Sequence, residues 1–183
     1  MSAFYKAISL IELLITLAVM VIAIYFISPA IFHLPDPIIL NNEVEQIRSF
    51  FYQIQTKARF TKTNYSLSVS QKNNQWCIIA IEKAEENKEI TCNCLNLLSC
   101  TIPASYHLYK SKESIKHKVS LKSKDLYPNS FINIDGITGK LESKCLGLRI
   151  NKSQLVMQFN EYGVINVAQQ DKRTECRENI SRI

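Results

Sequence analysis

Residues 7–29 read AISLIELLITLAVMVIAIYFISP. From Ile8 to Ile27 the only polar side chains are Ser9, Glu12, Thr16 and the Tyr25 hydroxyl. Twenty helical residues span about 30 Å, the thickness of a bilayer core, so the run predicts a transmembrane helix. Glu12 lies four residues inside it. A carboxylate there costs roughly 2–3 kcal/mol even on lenient insertion scales, so it needs a partner and a task. Lys6 precedes the run, and the first unambiguous cation after it is Arg48. That asymmetry predicts a cytoplasmic N-terminus with the rest of the chain across the membrane. Two other readings compete. A secretory signal peptide also has a basic start and an apolar core, but its core is shorter and does not run straight into a carboxylate. A plain membrane anchor fits the hydropathy equally well.

Beyond the run, Pro29, Pro35 and Pro37 predict a kink or break across Ser28–Pro37. Leu40, Val44, Ile47, Phe51, Ile54 and Ala58 then recur at alternating steps of four and three, a helical apolar stripe, with Glu43, Glu45, Arg48 and Lys57 mostly off it. From residue 64 the period becomes two. SLSVS at 66–70 alternates and WCIIAIE at 76–82 is apolar and β-branched. Lys88–Cys92 is expected to pair back on the latter across a turn at Ala84–Asn87. Further strands are expected at His117–Leu121, Phe131–Ile134, Leu146–Ile150, Gln154–Phe159 and Val164–Ala168, with turns at Asp135-Gly136 and Asn160–Gly163. Helices followed by many short strands predict an α+β domain.

The chain has 183 residues and a net charge of +6. That length leaves room for one domain besides the apolar run. Its six cysteines, Cys77, Cys92, Cys94, Cys100, Cys145 and Cys176, predict disulfides if the domain lies outside the cytoplasm. We expect Cys145 with Cys176 and the other four among themselves. Cys92, Cys94 and Cys100 have a spacing that suits no common zinc pattern. Three dispersed histidines and four glycines offer neither a metal triad nor a phosphate loop, so no catalytic residue, metal or cofactor is expected.

The order small residue, apolar residue, Ser, Leu, Ile, Glu, Leu and then an apolar helix resembles the class III signal of type IV pilins and pseudopilins. The resemblance implies cleavage by a prepilin peptidase between Ala7 and Ile8 and N-methylation of Ile8, with Ala7 standing where the family commonly has Gly. Glu12 becomes the fifth mature residue and Pro29 the twenty-second, positions where the family commonly has the same residue types. Residues 8 and 12 lie one helical turn apart on one face, so Glu12 can neutralise the new amine of its own or a neighbouring subunit. The family uses this pairing to set register in a helical filament. The implied organisation is a leader at 1–7, a transmembrane or filament-core helix at 8–28, a kinked amphipathic continuation at 29–62 and a periplasmic β-rich domain at 63–183. The implied fold is a long N-terminal helix packed on an antiparallel sheet.

A second resemblance, to the GspH/FimT branch, rests on Ala58, Arg59 and Trp76 and on Phe159 and Gly163 near the C-terminus. It implies a minor pilin that primes or tips a type IV or competence pilus, with other pilins, the prepilin peptidase and the inner membrane as partners. A pseudopilin of type II secretion is the alternative. A third reading is a tip receptor for DNA. Lys110, Lys112, Lys116, Lys118, Lys122 and Lys124 sit in YHLYKSKESIKHKVSLKSK at 106–124 against one acid, Glu113, beside Tyr106 and Tyr109. The same lysines also suit the solvated face of an edge strand. Some DNA-binding members of the branch carry an arginine-rich motif just after the C-terminal Gly; here Gly163 is followed by Val-Ile-Asn, with Lys172, Arg173, Arg177 and Arg182 further on.

Overall fold

The computed structural model describes residues 9–32, 35–83, 90–100, 105–169 and 176; within these the side chains of 27–32, Ser99 and Gln169 are outside the description. The chain divides into two compact units, Met1–Pro35 and Asp36–Ile183.

The first unit holds α1, Leu10–Phe32. Its sequence is apolar on every side, so no face distinguishes a core from a surface. The expected break across Ser28–Pro37 is narrower than that. The helical backbone continues through Pro29 to Phe32, since a proline removes one donor and leaves the remaining ladder in place. The boundary expected between residues 28 and 29 therefore falls inside α1.

The second unit opens with α2, Asp36–Thr61. Pro37 occupies its first turn, where a missing N–H costs nothing. Leu40, Val44, Ile47, Phe51, Ile54 and Ala58, the expected stripe, are each no more than 2% exposed. The helix ends where Lys62 turns left-handed (φ 56°) and the Thr63 N–H reaches back to the Ala58 carbonyl at 3.1 Å, closing the last turn.

Among the described residues eight strands follow: β1 Tyr65–Lys72, β2 Gln75–Glu82, β3 Tyr106–Lys110, β4 Ser120–Lys122, β5 Ile132–Ile134, β6 Lys144–Ile150, β7 Ser153–Phe159 and β8 Ile165–Gln169. A short helix, α3 (Glu113–Lys116), lies between β3 and β4. The strands form two antiparallel sheets ordered β3-β2-β1-β5 and β4-β6-β7-β8. The stripe of α2 fills the main core with residues of both sheets. Phe51 sits at its centre, 4.6 Å from Phe159 and 6.2 Å from Phe131 between ring centroids. The α+β pilin-like architecture expected from the sequence is the one observed.

Sheet β3-β2-β1-β5 is buried on both faces. Cys77, Ile79 and Ile81 form a second core with Cys92, Cys94 and Leu97 of the segment 90–100. Ser66, Ser68 and Ser70, opposite Ile81, Ile79 and Cys77, share that face and are buried with it. Bridges Cys77–Cys94 and Cys92–Cys100 hold the segment there. They also explain why Lys88–Cys92 is not the neighbour of β2. The described residues 90–92 are coil, and β3 takes the edge position instead. Residues 88–89 and the expected turn at Ala84–Asn87 lie outside the described residues. The third bridge, Cys145–Cys176, pins Cys176 to β6. The strand expected at His117–Leu121 is shorter and later, because Lys118 is left-handed (φ 55°) and cannot sit in a ladder.

Candidate assembly interface

Ser9 precedes α1 as its N-cap. Its hydroxyl accepts the Glu12 backbone N–H at 3.3 Å, and its carbonyl accepts the same N–H at 3.0 Å. Ser9 and Glu12 thus hold the two positions of a capping box, three residues apart. The helix start therefore places the Glu12 carboxylate in its first turn, at the positive end of the helix dipole. Ser9 was legible in the Ser-x-x-Glu spacing, although its capping role does not follow from hydropathy. Every described side chain from Leu10 to Phe26 is exposed, Leu10 at 80% and Tyr25 at 77%. So many exposed apolar side chains on one element mark a surface made to be covered. Ala7 and Ile8, the expected cleavage and methylation positions, lie outside the described residues. Among the described residues no helix is long and apolar enough to cross a membrane. The expected span at 8–28 begins before the described residues do, and its described side chains stop at Phe26.

In the second unit, α2 is pinned to both sheets by polar side chains. Arg48 donates to the Ile165 carbonyl at 2.8 Å, and the Tyr52 hydroxyl accepts the Ile165 N–H at 3.3 Å. Gln55 donates to the Gly139 carbonyl at 2.6 Å. Gly163 is left-handed (φ 80°), and a Cβ there would collide with the Gln55 amide. A Cβ on Gly139 would collide with the Arg59 side chain. Trp76 donates to the Val119 carbonyl at 3.0 Å and is 2% exposed. Of the residues that carry the branch resemblance, Ala58, Phe159 and Gly163 pack α2 on the sheets and turns, Arg59 lies beside Gly139, and Trp76 ties β2 to Val119.

A buried carboxylate faces the other side of α2. Glu43 is 1% exposed, and the Tyr109 hydroxyl donates to it at 3.0 Å. Burial holds its carboxyl above the ordinary range, while the Ser111 and Tyr109 hydroxyls offset part of the rise. Tyr109 is pushed up in turn, first by burial and then by Glu43. Its ring packs against Phe50 and Trp76, at 5.8 and 5.9 Å. Further along, the Lys57 ammonium donates to Nε2 of His107 at 2.8 Å, and burial and then Lys57 hold that imidazole below its usual value. His117 pairs with Glu113 at 3.3 Å. Among the described residues no group of three His, Cys, Asp or Glu side chains could hold a metal. All six cysteines are bridged, Cys145 to Cys176 and the other four among themselves.

The lysine-rich stretch divides. Lys110 ends β3, opposite Cys77 near the start of β2; Lys116 is the last residue of α3, and Lys112 and Lys118 flank that helix beside the β1–β2 turn. Lys122 pairs with Gly147 in the ladder, and with Lys124 it follows β4 towards the start of β6. Sequence spacing alone did not reveal that Lys72, far away in the chain, joins the first group. It lines the same concave surface as Lys118.

A long apolar helix, an amphipathic helix laid on antiparallel sheets and bridged loops together define a pilin-like fold. No family model matches the chain. In structure it is similar to the type IV minor pilin FimU of Pseudomonas aeruginosa PAO1, seen in a crystal structure. The TM-score is 0.50 at 12% identity, over 74% of this chain and 92% of that one. In sequence it is similar to an uncharacterized protein of Haemophilus influenzae, 28% identical over 173 residues, which is 93% of this chain and 98% of the relative.

Proposed function

We propose that the chain is a minor pilin of the GspH/FimT type. It is cut between Ala7 and Ile8 by a prepilin peptidase, methylated at Ile8, and primes or tips a type IV or competence pilus. The observation that carries this reading is α1 itself, an exposed apolar helix opening on a capped turn that presents Glu12, attached to a pilin-like domain. An amine freed at Ile8 would be four residues from Glu12 in the chain, next to the Ser9 cap, and would supply the cation that the carboxylate needs. Before assembly the helix is stored in the inner membrane, with the N-terminus cytoplasmic and the bridged domain in the periplasm. Three disulfides suit that oxidising compartment. In the filament the same apolar surface is covered by other pilins. The protein is structural and not an enzyme.

Deleting the gene and scoring surface pili, transformation and exoprotein release together tests the assignment. Loss of pili or transformation with normal secretion is the expected result. Loss of secretion alone would move the chain to the alternative, a type II pseudopilin.

A further inference from the structure

Among the described residues, the end of the second unit that carries Asp36 has an excess of cations. Three contacts define that end. Asn151 in the β6–β7 turn donates to the Asp36 carboxylate at 2.7 Å. Ser120 pairs with Arg149 at the end of β6, so Lys118, just before β4, lies on the same side. The bond from Trp76 to the Val119 carbonyl brings in the β1–β2 turn, with Lys72 opposite Gln75. Between that turn, the segment 90–100 and α3 lies a concave surface of about 720 Å³. Lys72, Asn73, Asn74, Leu95, Ile115 and Lys118 line it.

Among the described residues the acids at this end are occupied, Asp36 by Asn151 and Glu113 by His117, while Glu43 is buried with Tyr109. The opposite end mixes its charges. Asp125 pairs with Lys144 at 3.0 Å, and Asp135, whose carboxyl the Thr138 backbone N–H holds low, caps its own turn. Ile115 is 67% exposed between Lys112, Lys116 and Lys118. Exposed apolar side chains ringed by lysines are the composition of a surface that meets a lipid interface.

We propose that this end is a docking site for the headgroups of anionic phospholipids. The proposal rests on the reading that α1 is stored in the membrane. Asp36 is joined directly to Pro35, the last residue of the unit that this reading stores in the membrane; a covalent tether of that kind raises the effective concentration of headgroups around the domain. Each lysine near such a surface is attracted to anionic lipid within about a Debye length. The site would orient the domain while it waits for assembly and would be released as α1 leaves the membrane. Nucleic acid is the competing polyanion. Tyr109, the aromatic nearest these lysines in sequence, is packed against Phe50 and Trp76 and bonded to Glu43, so it offers no face to a base.

The test uses the full chain in nanodiscs of phosphatidylcholine alone or with 30% phosphatidylglycerol, followed by hydrogen–deuterium exchange. Slower exchange of residues 70–76 and 112–119 in the anionic discs only, reversed at 0.5 M salt, is expected, with 136–140 and 160–163 unchanged. Lys72→Gln with Lys118→Asn, which keeps a left-handed-tolerant residue at 118, should weaken docking by about 30-fold. Equal exchange in both discs overturns the headgroup site alone. Failure of the chain to enter either disc overturns the stored-helix reading and this proposal with it. Protection of the same segments by a 30-base-pair duplex in phosphatidylcholine discs, without an effect of anionic lipid, replaces the lipid site by a nucleic-acid site.

Discussion

The two long helices of this chain treat apolar side chains in opposite ways. In α2 the stripe from Leu40 to Ala58 is buried against two sheets, and the polar face carries Glu45, Arg48 and Gln53. In α1 apolar residues run all round, and the described ones are exposed from Leu10 to Phe26. A helix folded by its own chain needs one apolar stripe, whereas a helix apolar on all sides needs an environment supplied from elsewhere. The contrast separates what holds the domain together from what the domain is for.

The sharpest way to break this comparison is to empty matching positions. Phe51→Ala should cost about 3–5 kcal/mol, since it removes the ring between Phe131 and Phe159. Leu13→Ala or Leu14→Ala should leave unfolding of the bridged domain unchanged. Urea denaturation followed by Trp76 fluorescence reads both, and equal losses would show that α1 is part of the same cooperative core.

Next in size is the bridge that ties Cys176 to β6. Replacing Cys145 and Cys176 together by Ser opens a loop with a sequence separation of 31. It should cost about 3–4 kcal/mol by loop-closure entropy. The variant should lose midpoint in the same urea titration while α1 still enters membranes. A loss of membrane insertion would contradict the division between the two helices.

The smallest effect concerns Glu43 on the buried side of α2. Its folded carboxyl binds a proton more tightly than the unfolded one. That contribution is full below the unfolded value near 4.5 and is lost as pH rises through the higher folded value. Glu43→Gln removes the dependence, so the variant should gain stability relative to the parent between pH 4 and 8. Parallel pH profiles would show that the carboxyl is not held up by burial.

Much of this was legible in residues. The steps of four and three in α2 follow from periodicity and the run of α1 from composition, while the segments expected at Leu146–Ile150, Gln154–Phe159 and Val164–Ala168 became β6, β7 and β8. The pairing of β2 did not. YHLYK at 106–110 reads as the start of a charge run, yet its Leu108 and Tyr109 pack as a strand, while Lys88–Cys92 looks like a strand and its described end is held as coil by disulfides. The candidate sites divide in the same way. Glu12 stands out because a charge in an apolar run is costly wherever the chain goes. The grouping of Lys72 with Lys118 depends on a hairpin and a Trp76 hydrogen bond, which no local pattern encodes.

The central claim is that α1 is stored for assembly and that Glu12 meets the amine at Ile8. Complementing a deletion strain with Glu12→Ala, and measuring the protein in the sheared filament fraction alongside the mass of its N-terminus, tests it most directly. The account predicts a processed, methylated and fully bridged protein that stays in the membrane and is depleted from filaments at least ten-fold. Normal incorporation of a correctly processed Glu12→Ala protein would contradict it.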